Sequence, residues 1–385
     1  MRQQHIIGFD ATVAASDIGT RGHYGRFVIS AIAAAHSRNS FFRMYAQEHD
    51  ENSAYRAISE RHNIEALLPD GGIYRRLGWL WRKFGIARDA KRGNVELFHG
   101  LAGKLPFGLS HYDIRSVVTI HDLRHIHNTD EHSPIATAIH KLQYRSTCRR
   151  ADRIVATSEY IKEELIDTLN IDAEKIDVIY PGCSNEFTHP VTEAAYQSVA
   201  EKYHLPEHYI LAVGLIDRNA NIELLVDALA KSTSEIDLVV AGIATSDIEH
   251  IKSRIEELGI APRIHFLHGV SEEDMPAIFH GAEIFACTTI YEGFNHHIVE
   301  AATMGKPTVA TTETGHEEAG GPNQAYVSND NCDDLAAAID GILTNSALRE
   351  DMSQKAKLHA QRFRPEVVAY NIAKCYKRIG IDITE

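Results

Sequence analysis

Two glutamates eight positions apart, Glu292 and Glu300, are the side chains of this sequence best placed to bind a polar ligand. The segment that holds them, 289–307, follows a short apolar run and is predicted to open a helix at about Asn295, which a glycine and a proline then end. A helix N-terminus presents unpaired N–H groups and a partial positive charge, so the turn before this helix is a ready site for an anion. Both carboxylates can point into one cleft.

Two further segments hold candidate ligand contacts, and each has a plainer alternative. The pair His121-Asp122 follows a predicted strand, where the two side chains could equally satisfy a strand-end hydrogen bond. The early segment 19–26 combines glycines, which allow close backbone approach, with arginines, which bind anions. Glycine-rich turns are common in α/β folds, so neither segment indicates a function by itself.

A basic, aromatic segment at 74–92 holds both tryptophans of the chain, Trp79 and Trp81. Residues 75–92 contain seven Lys and Arg, including Arg82 and Lys83, and one acid. Basic residues interleaved with Trp and Phe suit an interfacial helix on anionic lipid. A helix that packs its aromatic side chains on its own sheet explains the pattern equally well. Nucleic acid is a poor third choice for so acidic a chain.

The composition is that of an ordinary globular protein of two domains. The chain has 385 residues and a net charge of −14, and no apolar run approaches the ~18 residues of a membrane-spanning helix. We recognise no signal peptide, and the five cysteines are odd in number and widely spaced, which argues against a disulfide framework or a zinc knuckle. These features predict a cytoplasmic location.

Short apolar runs alternate with longer amphipathic segments, a pattern typical of parallel sheets covered by helices on both faces. We therefore predict an α/β protein with two doubly wound, Rossmann-like domains facing each other across a cleft. The strands predicted in the first half are 5–9, 41–46, 95–99, 116–120, 153–157 and 176–180. Those predicted in the second half are 209–213, 237–241, 263–267, 283–287, 307–310 and 325–327.

Charge and turn residues predict the domain boundary. Residues 1–180 carry 24 basic and 22 acidic residues, whereas residues 181–385 carry 15 and 31, so nearly all of the acidity lies in the second half. A Pro-Gly pair and a polar stretch after Tyr180 provide a hinge. We predict a first domain over 1–183, a second domain over 184–364 and a C-terminal helix over 365–385 that packs back towards the first domain.

Several motifs together resemble the retaining glycosyltransferases of family 4, also called glycosyl transferases group 1, which have the GT-B fold. The two glutamates with seven residues between them, and Gly-Lys-Pro after the helix, are similar to the E-x7-E signature of that family. Similar segments occur in order along nearly the whole chain. They are 120–123, 156–159, 178–182, 212–214 and 268–283.

The resemblance implies transfer of a sugar from a nucleotide diphosphate sugar to an acceptor, with retention at the anomeric carbon. It implies that Glu292 binds hydroxyls of the donor sugar, that Glu300 binds the ribose, and that His121 reaches the donor sugar from the first domain. The segment 19–26 would close over the diphosphate or acceptor as a loop. The further donor-binding residues that it implies are Gly22, Arg26, Gly214, Asn219, Val270, Gly293, Phe294, Asn295 and His296.

The sequence departs from the family pattern at two places. An Arg-Lys pair that neutralises the donor diphosphate is replaced by Asn219 and Ala220, and the nearest cation is Arg218. Asn295-His296-His297 stands where the family usually has Gly-x-Pro, and a protonated histidine there would add positive charge. Loss of a cation at a diphosphate leaving group costs transition-state stabilisation unless another replaces it, and we assign Arg218 this role among the catalytic residues.

These features predict a hexosyltransferase, with mannose as the first donor sugar, that acts on a glycan, a lipid-linked or a protein acceptor in polysaccharide assembly. The chain is expected to need no metal or other cofactor, because no His-x3-His pair has an obvious carboxylate partner on a predicted helix and no Asp-x-Asp triplet occurs. We likewise expect no metal at His125, His127, His132 and His140. An anionic membrane surface is a further expected partner, at Trp79, Trp81, Arg82 and Lys83. The alternatives are a non-catalytic binding subunit of the same fold and a nucleotide-sugar epimerase.

Overall fold

The chain divides into two compact units, each built around one parallel sheet. The computed structural model describes residues 4–16, 19–47, 53–70, 72–127 and 133–384. Unit 1 comprises Met1–Gly182 with Phe363–Glu385, and unit 2 comprises Cys183–Arg362. The predicted boundaries, after 183 and after 364, lie within two residues of these divisions.

The sheet of unit 1 has seven strands in the order β3-β2-β1-β4-β5-β6-β7, and all neighbouring strands are parallel. The order reverses beside β1, which is the pattern of a doubly wound sheet. The strands are β1 His5–Asp10, β2 Ser40–Tyr45, β3 Ile64–Leu67, β4 Leu97–Gly100, β5 Arg115–Ile120, β6 Arg153–Ala156 and β7 Ile176–Val178.

Helices cover both faces of this sheet. Val28 and Ile32 of one helix and Ile372 of the C-terminal helix lie in the apolar cluster on one face, while Ile161 and Leu165 lie in the cluster on the other. A π-helical turn, Trp81–Gly85, joins α5 to α6. The helices are α1 Thr12–Ser16, α2 Thr20–Ala35, α3 Ser53–Ser59, α4 Gly72–Arg76, α5 Gly78–Leu80, α6 Ile86–Arg92, α7 Arg124–His127, α8 Pro134–Arg150, α9 Glu159–Leu169 and, after unit 2, α18 Pro365–Lys377.

Unit 2 has a parallel sheet of six strands in the order β10-β9-β8-β11-β12-β13. The strands are β8 Tyr209–Ile216, β9 Asp237–Ala244, β10 Ile264–Leu267, β11 Ile284–Cys287, β12 Thr308–Thr311 and β13 Ala325–Val327. The helices are α10 Glu193–Tyr203, α11 Ile222–Lys231, α12 Ile248–Leu258, α13 Met275–Gly281, α14 His296–Met304, α15 His316–Gly320, α16 Cys332–Thr344 and α17 Ser346–Ala360.

The predicted two-sheet α/β fold is confirmed, and every predicted strand has an observed counterpart. Strand β3 was not predicted: it is a four-residue edge strand, and its Glu65 forms an ion pair with Arg43 of β2 at 3.2 Å. A charged side chain in so short a run hides the apolar pattern of a strand. No helix among the described residues combines the length and apolarity needed to cross a bilayer.

The segment 19–26 is not the loop expected from its glycines. Helix α2 begins at Thr20, and Gly22 and Gly25 lie buried within it. A side chain at Gly25 would place its Cβ only 3.0 Å from Cβ of Ala14 in α1. This glycine therefore permits two helices to pack closely, which a sequence pattern cannot distinguish from backbone access to a ligand.

A chain of buried polar groups ties α18 to the sheet of unit 1. Both ring nitrogens of the fully buried His99 form hydrogen bonds, Nδ1 with Tyr376 Oη at 2.8 Å and Nε2 with Thr119 Oγ1 at 2.9 Å. Thr119 Oγ1 also lies 3.1 Å from Tyr24 Oη of α2. Burial, with a smaller effect of nearby His121, lowers the pKa of His99 to about 3. His99 is therefore a neutral part of the core.

This buried histidine should make the protein acid-sensitive. An unfolded histidine titrates near pH 6.5. The unfolded chain therefore binds a proton at residue 99 as the pH falls below this value, whereas native His99 stays neutral until about pH 3. The stabilisation is complete above pH 6.5 and is lost as the pH falls below it. We expect His99 to lower the free energy of unfolding by about 2 kcal/mol between pH 7.5 and 5. Denaturant unfolding of wild type and His99→Gln at both pH values measures this.

The substitution His62→Gln is the matched control, because His62 is exposed. It should keep the full pH-dependent loss, whereas His99→Gln should show a loss smaller by about 2 kcal/mol. An equal loss in both variants would show that His99 does not cause it.

Candidate functional site

The turn between β11 and α14 places Glu292 beside the N-terminus of the helix. Asn295 is the N-cap of α14: its Oδ1 accepts a hydrogen bond from the Ile298 amide at 3.1 Å. Its Nδ2 group donates to Glu292 Oε2 at 2.7 Å and to Cys287 Sγ at 3.2 Å. Because its oxygen and nitrogen are both engaged, Asn295 fixes the carboxylate relative to the helix.

A fully buried histidine, His316, completes this cluster from the next strand-to-helix turn. Its Nε2 lies 3.6 Å from Glu292 Oε2 and 3.5 Å from Cys287 Sγ. On the other side of the ring, Nδ1 lies 3.1 Å from the carbonyl oxygen of Thr311 and can donate to it. We call Cys287, Glu292, Asn295 and His316 the Glu292 cluster.

The electrostatic balance of the Glu292 cluster favours a charged His316. Burial by itself lowers the pKa of this imidazole, but the adjacent Cys287 and the Glu292 carboxylate outweigh it and raise the pKa to about 10. A charged imidazole then faces the Glu292 carboxylate. The cluster therefore holds a carboxylate acceptor ready at a helix N-terminus.

Close backbone packing brings the two turns together. The Gly315 amide donates to the Glu292 carbonyl oxygen at 3.1 Å, and a Cβ at Gly315 would lie 2.1 Å from the Gly293 oxygen. Only glycine allows this approach. Sequence reasoning missed His316; the one available signal was a glycine and histidine shortly after the predicted strand 307–310.

Asn219 braces the same turn instead of presenting a charge. Its Nδ2 donates to the Tyr291 carbonyl oxygen at 3.0 Å, its Oδ1 accepts from the Tyr291 amide at 3.2 Å, and its own carbonyl accepts from Ile290 at 2.8 Å. Ala220 packs against the core, and the Arg218 side chain is exposed. The position that usually carries a cation thus holds the loop of Glu292.

Glu300 lies in the second turn of α14 and is almost completely buried. Its Oε2 lies 2.7 Å from Nδ1 of His297, one turn earlier on the same helix. The ring of His296 lies against that of His297, with centroids 3.8 Å apart. These three side chains form a second cluster beside the helix N-terminus.

The other residues implied for the donor take diverse positions in unit 2. Phe294 is buried and Gly293 lies in the turn before α14. Gly214 has a φ of +142° within β8, opposite Gly242 of β9, whose Cβ would lie 1.9 Å from the Gly214 oxygen. Val270 is half-buried in the segment between β10 and α13.

In unit 1, His121 follows strand β5 as a neutral side chain. Its Nε2 lies 2.8 Å from the Leu101 carbonyl oxygen and donates to it, and its ring meets Tyr24 edge-on at 4.5 Å. Burial and the neighbouring Arg21 lower the pKa of His121 to about 4. Its Nδ1 is consequently a hydrogen-bond acceptor at neutral pH.

Neighbouring Asp122 and Arg21 form an ion pair of 2.8 Å. Burial opposes ionisation of this carboxylate, but Arg21 holds the pKa of Asp122 below its usual value. Arg26, expected at the donor, is instead buried and donates to the Ala14 carbonyl oxygen at 3.1 Å. It stabilises the packing of α1 on α2.

The side chains of the basic tryptophan segment are divided between the interior and the surface of unit 1. Trp81 is buried and its Nε1 donates to Asp89 at 2.7 Å, while Arg82 forms a 2.7 Å ion pair with the buried Asp10. For these two residues the alternative of packing within unit 1 is correct, and they are not available to a membrane. Trp79 and Lys83 are exposed.

Comparison with known proteins identifies the family. The model of glycosyl transferases group 1 matches residues 198–359, and that of glycosyltransferase family 4 matches residues 25–187. Between them the two models match most of the chain. It belongs to the group 1 glycosyltransferases. The resemblance inferred from the paired glutamates is therefore confirmed.

Among similar proteins, D-inositol 3-phosphate glycosyltransferase of Mycobacterium marinum is 30% identical over 61% of this glycosyltransferase and 52% of its own length. This chain thus spans about half of that relative. The O-antigen chain mannosyltransferase B of Escherichia coli is 24% identical over 73% of this chain and 74% of its own. The crystal structure of Anabaena HepE with UDP-glucose matches 98% of this chain and all of its own, with a TM-score of 0.76 and 18% identity, which supports the GT-B fold.

Two groups of described residues in this glycosyltransferase have metal-ligand side chains within 4.8 Å of one another. In the Glu292 cluster, however, Asn295 Nδ2 directs its N–H groups at both the sulfur and the carboxylate. In the second, His297 and Glu300 bind each other. Metal independence stays a prediction. Of the other histidines, His125 stacks on His140, His127 pairs with Glu164 at 2.7 Å, and His132 lies outside the described residues.

Removing the Asn295 amide should loosen the Glu292 cluster beyond the loss of a helix cap. We expect Asn295→Ala to lower the free energy of unfolding by about 1–2 kcal/mol. It should also raise the rate at which N-ethylmaleimide modifies buried Cys287 by about tenfold, because the turn opens locally more often. Peptide mass spectrometry measures the modification.

Asn345→Ala is the matched control, since Asn345 caps α17 through the Leu348 amide at 3.0 Å. It should lose comparable stability and leave the Cys287 rate unchanged. Equal modification rates in the two variants would contradict a specific role of Asn295 at Glu292.

Proposed function

We propose that this chain transfers a hexose, with mannose as the first candidate, from a nucleotide diphosphate sugar to an acceptor hydroxyl with retention of anomeric configuration. The observation that carries the proposal is the Glu292 carboxylate, held by Asn295 and His316 at the N-terminus of α14. Its Oε2 is engaged there, and no hydrogen bond among the described residues involves Oε1. That oxygen is the acceptor we assign to hydroxyls of the donor sugar.

The chemical step exchanges one bond at the anomeric carbon for another. The bond to the diphosphate oxygen breaks, a bond to the acceptor oxygen forms on the same face, and the acceptor proton passes to the departing phosphate. Charge builds on the leaving diphosphate, so donors aimed at it lower the barrier. The amides at the start of α14 supply such donors, and Glu300 is assigned to the ribose.

The lost Arg-Lys pair requires another source of positive charge. The guanidinium of the exposed Arg218 is one such positive charge. The imidazolium of His316, below Glu292, is another. His316 reaches the donor only through Glu292 and is a positioning residue. The role of His121 at the donor sugar stays a prediction from the family resemblance.

The names of similar proteins support the substrate classes. HepE binds UDP-glucose, and one relative is a mannosyltransferase of O-antigen chains. We propose a nucleotide diphosphate sugar as donor, a glycan, lipid-linked or protein acceptor, a role in polysaccharide assembly, and activity without a metal.

A non-catalytic, nucleotide-binding subunit is the second candidate. Asn219 favours this candidate, because both ends of its amide bind the backbone of Tyr291. This position therefore offers no positive charge to a diphosphate. Such a protein would bind nucleotides without releasing them from a donor sugar.

A donor-hydrolysis assay with GDP-mannose, UDP-glucose and dTDP-glucose distinguishes the two candidate functions. We expect nucleotide release from at least one donor. Glu292→Gln keeps the size of the side chain but removes its charge, and it should reduce the rate by about a hundredfold. Chromatography of the released nucleotide measures the rate.

Glu366→Gln is the control, because Glu366 is an exposed acid on α18 in the other unit. It should retain the wild-type rate. Thermal shifts with nucleotides but no release from any donor would overturn the transferase and favour the binding subunit. Release at the wild-type rate from Glu292→Gln would overturn the role of this carboxylate.

A further inference from the structure

Helix α8 of unit 1 presents an apolar stripe to solvent. Ile135, Ile139 and Leu142 are 74%, 47% and 66% exposed. Their spacing of four and three residues places them on one face of the helix. We call these three side chains the α8 stripe.

The apolar and polar faces of α8 are arranged in the opposite way to those of an ordinary surface helix. Its buried positions near the C-terminus are Thr147 and Cys148, while the outward face carries the α8 stripe and the exposed Ala138. A helix normally turns its apolar face to the core. An outward apolar face of this kind marks a surface that meets another apolar phase.

The charged residues within α8 are all positive. They are Lys141, Arg145, Arg149 and Arg150, and the helix contains no acid from Pro134 to Arg150. The neighbouring helix α9 is acidic: its Glu159 pairs with Lys162 and its Glu164 with His127, while Glu163 and Asp167 are exposed. An apolar stripe flanked by cations suits a surface that is both apolar and anionic.

A second exposed apolar group lies beside the C-terminal end of α8. The Arg150 guanidinium lies 4.2 Å from the centre of the Phe107 ring, which stacks on Phe84 at 5.5 Å. Lys83 lies over both rings, at 5.4 and 5.6 Å. Both phenylalanines are exposed. Aromatic rings with cations beside them therefore extend the same type of surface beyond the helix.

We propose that α8 lies in the headgroup region of an anionic lipid bilayer, with the α8 stripe inserted and Lys141, Arg145 and Arg149 at the lipid phosphates. An interfacial helix needs an apolar face for the acyl boundary and cations for anionic headgroups, and long basic side chains reach the headgroups from beside the apolar face. Both requirements are met by α8, whereas Trp81 and Arg82 of the basic segment are engaged inside unit 1. The proposal extends the proposed transferase function to a lipid surface.

The test is sedimentation of the full chain with vesicles of phosphatidylglycerol and phosphatidylcholine in equal parts, and with vesicles of phosphatidylcholine alone. We expect strong binding to the anionic vesicles only, weakened by salt. Ile135→Glu with Leu142→Glu should reduce that binding by at least about tenfold.

The double variant Leu358→Glu with Tyr370→Glu is the matched control. It adds the same charge at side chains that are 73% and 60% exposed on α17 and α18, and it should bind like wild type. Circular dichroism should show unchanged helicity in both variants.

Three results would overturn the proposal: equal binding to neutral and anionic vesicles, undiminished binding of the α8 variant, or a wild-type dimer by light scattering that the α8 variant breaks. The last would assign the stripe to a second copy of the chain. The assay contains no donor sugar, so its failure is distinct from a failure of nucleotide release.

Discussion

One side-chain amide, that of Asn295, connects the sheet of unit 2, a helix N-terminus and the carboxylate on which the proposed chemistry depends. Its oxygen caps α14 and its nitrogen binds Glu292 and Cys287. His316, from the next turn, supplies a buried positive charge beside this carboxylate. Gly315 and Asn219 then hold the two loops at the required separation. Each of these contacts positions Glu292, so the site is a consequence of how two strand-to-helix turns pack.

The departures from the family pattern acquire a physical meaning in this arrangement. Asn295 stands where the family usually has a glycine, and its side chain caps α14 and binds Glu292. Asn219 stands where the family usually has a cation, and its amide binds the backbone of Tyr291. Both side chains brace the turn of Glu292 through hydrogen bonds. The positive charge that remains around this turn comes from helix amides, from His316 below the carboxylate and from the exposed Arg218.

Local patterns in the sequence were sufficient for most of the fold. Alternating apolar runs located the strands, and the glycine and proline after Met304 located the end of α14. Contacts between distant segments could not be predicted: nothing near Glu292 in the sequence indicates His316, and Gly25 of α2 permits close packing on α1. The family resemblance assigned Arg26 to the donor, and residue types assigned Trp81 and Arg82 to a membrane or acceptor surface. Their partners Ala14, Asp89 and Asp10 instead retain them inside unit 1.

The proposed site depends most on a charged His316 beside Glu292, and nitrogen NMR of the protein with labelled histidine tests this charge most directly. At pH 7.5 both ring nitrogens of His316 should carry protons, since its pKa is raised to about 10. The signal is assigned by its absence in His316→Asn, and in Glu292→Gln it should move towards that of a neutral ring. A neutral, singly protonated His316 in the wild-type protein at this pH would contradict the account.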